Sequence, residues 1–200
     1  MAAAPLEPAR PRLPAIAAAP VQHFRSLAGD LLRIRPFAPE EADRLGGHVA
    51  ALSPASRRDR FLGGLVQLTP AAARRLIGEP GGPVTGLAVE RLGEGAPLLV
   101  GEGVLALDAS TMTAELALSV ADPWQGRGIG RSILASIGLR AAAAGAAQLT
   151  GEVLRSNHRM QGLARAAGFS VATHPGDARL IAIARPLSLC PGWEALGLAA

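Results

Sequence analysis

The residues with the clearest chemical potential are Gln125-Gly126-Arg127-Gly128-Ile129-Gly130-Arg131. An apolar strand pattern, Glu115 to Val120, leads into them, and a helical pattern, Ser132 to Ala144, leads out. A strand that turns through glycines into a helix start presents backbone N–H groups with no intrahelical partner, and the helix dipole adds partial positive charge. Glycine permits backbone conformations that a side chain blocks, and it lets a ligand approach closely. Such a stretch suits a phosphate or pyrophosphate. Spacing excludes two common phosphate loops. A Gly-Lys-Ser/Thr loop needs a lysine, and the chain has none. A G-x-G-x-x-G dinucleotide loop starting at Gly126 and Gly128 needs its third glycine where Arg131 stands.

The elements that must hold this loop follow from periodicity. Asp30 to Phe37 alternates apolar and basic residues and reads as a first strand. Pro39, Glu40 and Glu41 fit a helix start, and the helix runs to about Leu52 despite Gly46 and Gly47. Ser53-Pro54 opens a short helix to about Leu62, and Thr69-Pro70 opens another over Ala71 to Ile77. Val84 to Arg91 and Leu98 to Asp108 read as strands joined by a short turn, hence an antiparallel hairpin. Glu115 to Ala121 is the next strand. In the helix after the loop, Ile129, Ile133 and Ile137 recur every four residues, with Leu134 beside them, giving one apolar face. Gln148 to Leu154 is a strand, Ser156 or Asn157 caps a helix to Ala167, and Phe169 to Ala172 and Arg179 to Ala184 are the last strands.

Two motifs in this order carry a family resemblance. Gln125-x-x-Gly128-x-Gly130 resembles the acyl-coenzyme A pyrophosphate loop of the GNAT superfamily of N-acetyltransferases. Asn157-x-x-Met160-x-x-Leu163, followed by Gly168-Phe169, resembles the helix that comes after it in that family. The resemblance runs from about Asp30 to Leu187. Leu52-Ser53-Pro54-Ala55-Ser56-Arg57-Arg58-Asp59-Arg60-Phe61 is similar to a segment of the GNAT domains of bacterial protein lysine acetyltransferases, as are the Glu115 strand and Gly151-Glu152-Val153-Leu154. The resemblance implies an α/β (α+β) domain with a mixed central sheet of six to seven strands flanked by helices.

The resemblance also implies acetyl-CoA as cosubstrate and a primary amine, on a protein lysine or a small molecule, as acceptor. An amine is a nucleophile only when unprotonated, and at neutral pH it is almost wholly charged, so the site must take a proton from it. Glu115 opens the strand beside the loop and matches the catalytic glutamate of the lysine-acetyltransferase subgroup. Glu152 and Glu102 are the alternatives. Backbone groups across Gln125, Gly126, Arg127, Gly128, Ile129, Gly130 and Arg131 should hold the pyrophosphate, with the Arg127 and Arg131 side chains adding charge. Leu118, Ser119 and Val120 should pair with the pantetheine arm, and Asn157 should bond to it or near the thiol. Many family members protonate the leaving thiolate with a tyrosine. That position is Ala164 here, and the chain contains no tyrosine. His158, Ser156 or water would have to serve. Retention of Glu115 with the loop favours an enzyme; the missing tyrosine favours the alternative, a catalytically silent acyl-CoA-binding module for sensing or scaffolding.

Composition bounds the remaining classes. The 200 residues suit one domain plus tails, and 49% hydrophobic residues suffice for a sizeable core. A net charge of +4 is too small and dispersed to argue for nucleic acid. The single cysteine, Cys190, excludes an internal disulfide. The four histidines show no ligand spacing, so no metal is implied. Arg10 and Arg12 precede an apolar run, but Pro14 and Pro20 interrupt it. Residues 1–28 are therefore expected to form a flexible Ala/Pro-rich tail, 29–187 the domain, and 188–200 a second tail. The expected setting is cytoplasmic, with no membrane partner and the last apolar strands available for a homodimer.

Overall fold

The computed structural model describes Ile16, residues 20–64 and residues 67–187. Most of both expected tails, and Cys190 with them, lie outside the described residues. Among the described residues eight strands form one sheet: β1 (Gln22–Arg25), β2 (Leu31–Pro36), β3 (Val84–Arg91), β4 (Leu98–Asp108), β5 (Thr113–Val120), β6 (Gln148–Leu154), β7 (Ser170–Thr173) and β8 (Leu180–Pro186). Their order across the sheet is β1-β2-β3-β4-β5-β6-β8-β7. Every neighbouring pair is antiparallel except β5 and β6, which run parallel. The fold class is the expected one, with one strand more than the upper count.

The additional strand corrects the N-terminal boundary. Gln22–Arg25, assigned to the tail, pairs with β2, and Phe24 is buried in the core. The four residues QHFR carry little alternation of their own, so pairing across to β2 and the anchoring of Phe24 decide their state.

Among the described residues five α-helices flank the sheet: α1 (Ala42–Ala51), α2 (Pro54–Arg60), α3 (Pro70–Ile77), α4 (Ile129–Ala143) and α5 (His158–Ala166). Their starts carry the expected chemistry. Ser53, Thr69 and Asn157 accept from the backbone N–H three residues on, and Pro54 and Pro70 hold the first helical positions. α4 packs on one face of β4 and β5, so closely that a Cβ on Gly103 would stand 2.7 Å from Ile133 Cγ2. Glu102, the next residue along the strand, therefore faces the opposite side, where α1 and α2 lie. The larger core is built around Ile129, Ile133, Ile137, Leu105, Leu116 and Leu149. A smaller one lies around Phe37, Leu45, Val49 and Ile77. No described helix is long and apolar enough to cross a membrane.

The end of α2 is unusual. Gly63 N–H bonds back to Arg58 C=O, the closure that normally sets a glycine in left-handed conformation after the last helical turn. Here Leu62 holds that conformation, at φ +53°, although Gly63 and Gly64 follow directly. A side chain in this region costs about 1–2 kcal/mol.

Candidate active site

β5 and β6 pair only through Thr113, Ala114 and Glu115, opposite Gln148, Leu149 and Thr150. Beyond Glu115 each strand keeps its outer neighbour: β5 pairs with β4 as far as Val120, and β6 with β8 as far as Leu154. A gap therefore opens inside the sheet. Ala121 N–H donates to Val100 C=O, which fixes the hydrogen-bonding phase of the β4–β5 ladder. The alternation of that ladder turns the peptide groups of Leu118 and Val120 away from β4 and into the gap. Val120 C=O is met there by Gln125 Nε2 at 3.1 Å. Ser119, expected alongside them, is a correction. Its peptide belongs to the β4 ladder, and its hydroxyl lies buried on the far face, bonded to Glu102 and His48.

The gap leads to the glycine loop. Gly126 and Gly128 adopt φ +76° and +83°, and α4 begins at Ile129. The backbone N–H groups of residues 126 to 130 donate to no described residue. Together they form a concave set of donors at a helix N-terminus, the arrangement that holds a phosphate. The cradle is shorter than expected at both ends, because Gln125 N–H donates to Asp122 C=O and Arg131 N–H to Gly128 C=O. The Gln125 side chain works as a brace, giving hydrogen bonds to Ser56 Oγ and Val120 C=O and accepting one from Arg159 at 2.6 Å. The Arg127 guanidinium sits over the Trp124 ring and reaches Asp30 at 3.3 Å, while Arg131 is exposed. The tip of the β1–β2 hairpin covers this loop: Leu27 N–H bonds to Arg127 C=O, and the Leu27 side chain approaches Gly128.

Asn157 caps α5 through Oδ1, which accepts from Met160 N–H at 2.9 Å, and its Nδ2 has no partner among the described residues. His158 and Ser156 beside it are exposed. Ala164, at the position of the family tyrosine, is fully buried in the larger core.

On the α2 side, a cleft of about 180 Å³ is lined by Arg60, Phe61, Leu62, Glu115, Leu116, Ala117 and Glu152. Glu115 stands where the gap begins, exposed and with no ion pair or side-chain hydrogen bond among the described residues. Glu152 shares the cleft but pairs with His174 at 3.1 Å. Glu102, the third candidate, is corrected. It is 1% exposed and held by Arg60 at 2.6 and 3.2 Å. Burial pushes its carboxyl up, but the Arg60 guanidinium and the Ser119 hydroxyl outweigh this and hold it below the usual carboxylate range. Charged and enclosed, it has no access to an acceptor.

Glu102 anchors a polar chain that sequence reasoning did not assemble. Arg60 donates to Glu102, the Ser119 hydroxyl donates to Glu102 at 2.7 Å, and His48 Nε2 lies 3.0 Å from Ser119 Oγ. Since the hydroxyl proton goes to Glu102, His48 Nε2 is the donor to Ser119. The only local signal was a charge inside the apolar run of β4. At the other end of α2, Asp122 accepts from Ser53 N–H, Ser53 Oγ and Ser56 Oγ at 2.9, 2.8 and 2.7 Å. α2 is thus tied to the phosphate-type loop at its start and to the sheet under the cleft at its end.

Burial lowers the His48 imidazole below its ordinary value. The unfolded chain therefore takes up this proton first as pH falls. The stability linked to His48 is complete above about pH 6.5 and is lost below it. Thermal unfolding at pH 7.5 and 5.5 is expected to show a loss of stability at the lower pH, and a smaller loss in His48→Gln.

No family model and no curated protein sequence matches the chain. Solved structures do. The GNAT domain of S. lividans PAT superposes with a TM-score of 0.74 at 21% identity, covering 83% of this chain and 96% of that one. A GNAT-family acetyltransferase of Streptococcus pneumoniae gives 0.63 at 17%, covering 78% and 99%. RimJ of Mycobacterium smegmatis, solved in complex with CoA-disulfide, gives 0.62 at 18%, covering 88% and 91%. The chain has the fold of the GNAT acetyltransferases.

Proposed function

We propose that the protein transfers an acetyl group from acetyl-CoA to a primary amine, by direct attack of the amine on the thioester. The observation that carries this reading is the continuity of three features: the amides of residues 126 to 130, unpaired among the described residues, the β5 edge at Leu118 and Val120 that faces the gap, where only the Val120 C=O is taken, by Gln125, and the Glu115 carboxylate where the gap begins. The amides hold the pyrophosphate, and the Arg131 side chain adds charge. The β5 backbone pairs with the pantetheine arm, and Asn157 Nδ2 donates to it. Glu115 takes the proton from the acceptor amine, directly or through one water, so that the lone pair is available for attack. The acceptor is a protein lysine or a small-molecule amine, and the resemblance of Leu52 to Phe61 to a segment of bacterial protein lysine acetyltransferases supports the first. Fit to the cosubstrate rests on this donor set: a strand edge for an amide-bearing arm and a cluster of N–H groups for a diphosphate.

The absence of tyrosine and the buried Ala164 support a second reading, a silent acyl-CoA-binding module. Both readings require the loop. Gly128→Val places a β-branched residue at φ +83° with its Cβ 3.2 Å from Leu27 Cγ. The expected result by calorimetry is acetyl-CoA affinity at least about tenfold weaker, the equivalent of 1–2 kcal/mol of left-handed strain. Equal affinity for acetyl-CoA in both proteins contradicts the loop assignment.

A further inference from the structure

We infer that Leu62 is a specificity-determining residue of the acceptor cleft, packing against the aliphatic stem that carries the acceptor amine; this rests on the acetyl-transfer reading above. Three observations converge on it. Leu62 adopts a left-handed backbone conformation that bulky residues rarely hold, in a helix-terminal closure suited to glycine. Two glycines follow it, so the chain has the local composition for a relaxed turn and still sets a leucine at the strained position. Among the described residues the side chain also joins neither hydrophobic cluster, whereas its neighbour Phe61 packs against the smaller one. Among the described residues Met112, in the turn between β4 and β5, is the other non-glycine at positive φ, but Leu62 alone of the two lines a cleft, and strained residues cluster at functional sites.

Leu62 lines the cleft with Phe61, Leu116 and Ala117, which complete its apolar wall, and with Arg60, Glu115 and Glu152, which bring charge to it. Such a cleft is apolar along its side and carries a carboxylate where the amine nitrogen must stand. It fits an unbranched alkyl chain ending in an amine better than an amine on a short or polar stem. Leu62 reads the stem, and Glu115 takes the proton.

The test uses the full chain with Leu62→Gly and Leu62→Ala. Acetyl-CoA turnover is followed on peptides bearing lysine or the shorter ornithine, and on n-butylamine against ethylamine. The wild type is expected to favour the longer stem. Leu62→Gly relieves the backbone, so its melting temperature should equal or exceed that of the wild type. Its kcat/KM for the longer stems should fall about tenfold while the shorter ones change little. Leu62→Ala, which keeps the left-handed strain, should lose the same selectivity without the gain in stability. A Leu62→Gly protein that melts several degrees lower, or that keeps the wild-type preference for stem length, overturns the assignment. Wild-type protein that turns over none of the amines overturns the acetyl-transfer reading itself, and this one with it.

Discussion

Glu115→Gln is expected to lower acceptor-dependent thiol release from acetyl-CoA by about 10²–10⁴-fold, the usual contribution of a positioned general base. The substitution keeps the shape and removes the proton acceptor. Among the described residues Glu115 makes no ion pair or side-chain hydrogen bond, so its charge can be removed without breaking a contact there. Acetyl-CoA binding, which draws on the amides of the loop and the edge of β5, should be unchanged in calorimetry. The loss should appear in kcat. It should shrink as pH rises toward the pKa of the acceptor amine, because an amine that is already neutral needs no base. A variant that turns over at the wild-type rate removes Glu115 from the mechanism. If the same loss appears instead in Glu152→Gln, the base is the neighbouring carboxylate in the cleft.

Arg60→Ala is expected to cost about 3–5 kcal/mol of folding stability, because it leaves the Glu102 carboxylate buried without its counter-charge. Arg60 is 6% and Glu102 1% exposed in their side chains, so solvent cannot take over the pairing. Against a typical total of about 5–15 kcal/mol, such a loss leaves a marginal fold. Arg60→Met combined with Glu102→Gln removes both charges while retaining bulk, and it should recover most of the denaturation midpoint. Urea unfolding of the two variants separates the possibilities. Equal stability of Arg60→Ala and wild type means that the pair is not enclosed as described. Failure of the double variant to recover means that the cost lies in lost packing against Phe61, over whose ring the guanidinium sits, rather than in the stranded charge.

The features legible in the sequence are those decided within a few residues. The Asn157 cap, the Ser53-Pro54 and Thr69-Pro70 helix starts and the turn through Gly126 and Gly128 each depend on local backbone chemistry, and the structure realises them. The features that escaped depend on chain segments far apart. The partner of β1 is β2, and nothing in QHFR announces it. The separation of β5 from β6 depends on how far each strand follows its outer neighbour. His48, Arg60, Glu102 and Ser119 come together from two helices and two strands, so Glu102 read in isolation looked like a base when it is a buried ion-pair partner. Ser119 was assigned to the gap because it lies between Leu118 and Val120, but the two-residue period of a strand turns it to the other face. The short helix ends about where its sequence predicts, but nothing local announces that Leu62 would take a left-handed conformation beside Gly63.

The most direct measurement is acceptor-dependent release of the CoA thiol from acetyl-CoA by the wild-type chain, with pooled primary amines and a lysine-bearing protein as acceptors and calorimetric binding of acetyl-CoA alongside. Binding together with thiol release that requires an acceptor, and the matching acetylated amine in the mass spectrum, is the predicted result. Tight binding with no release on any acceptor contradicts the transferase and leaves the silent acyl-CoA-binding module. Absence of binding contradicts the assignment of the glycine loop.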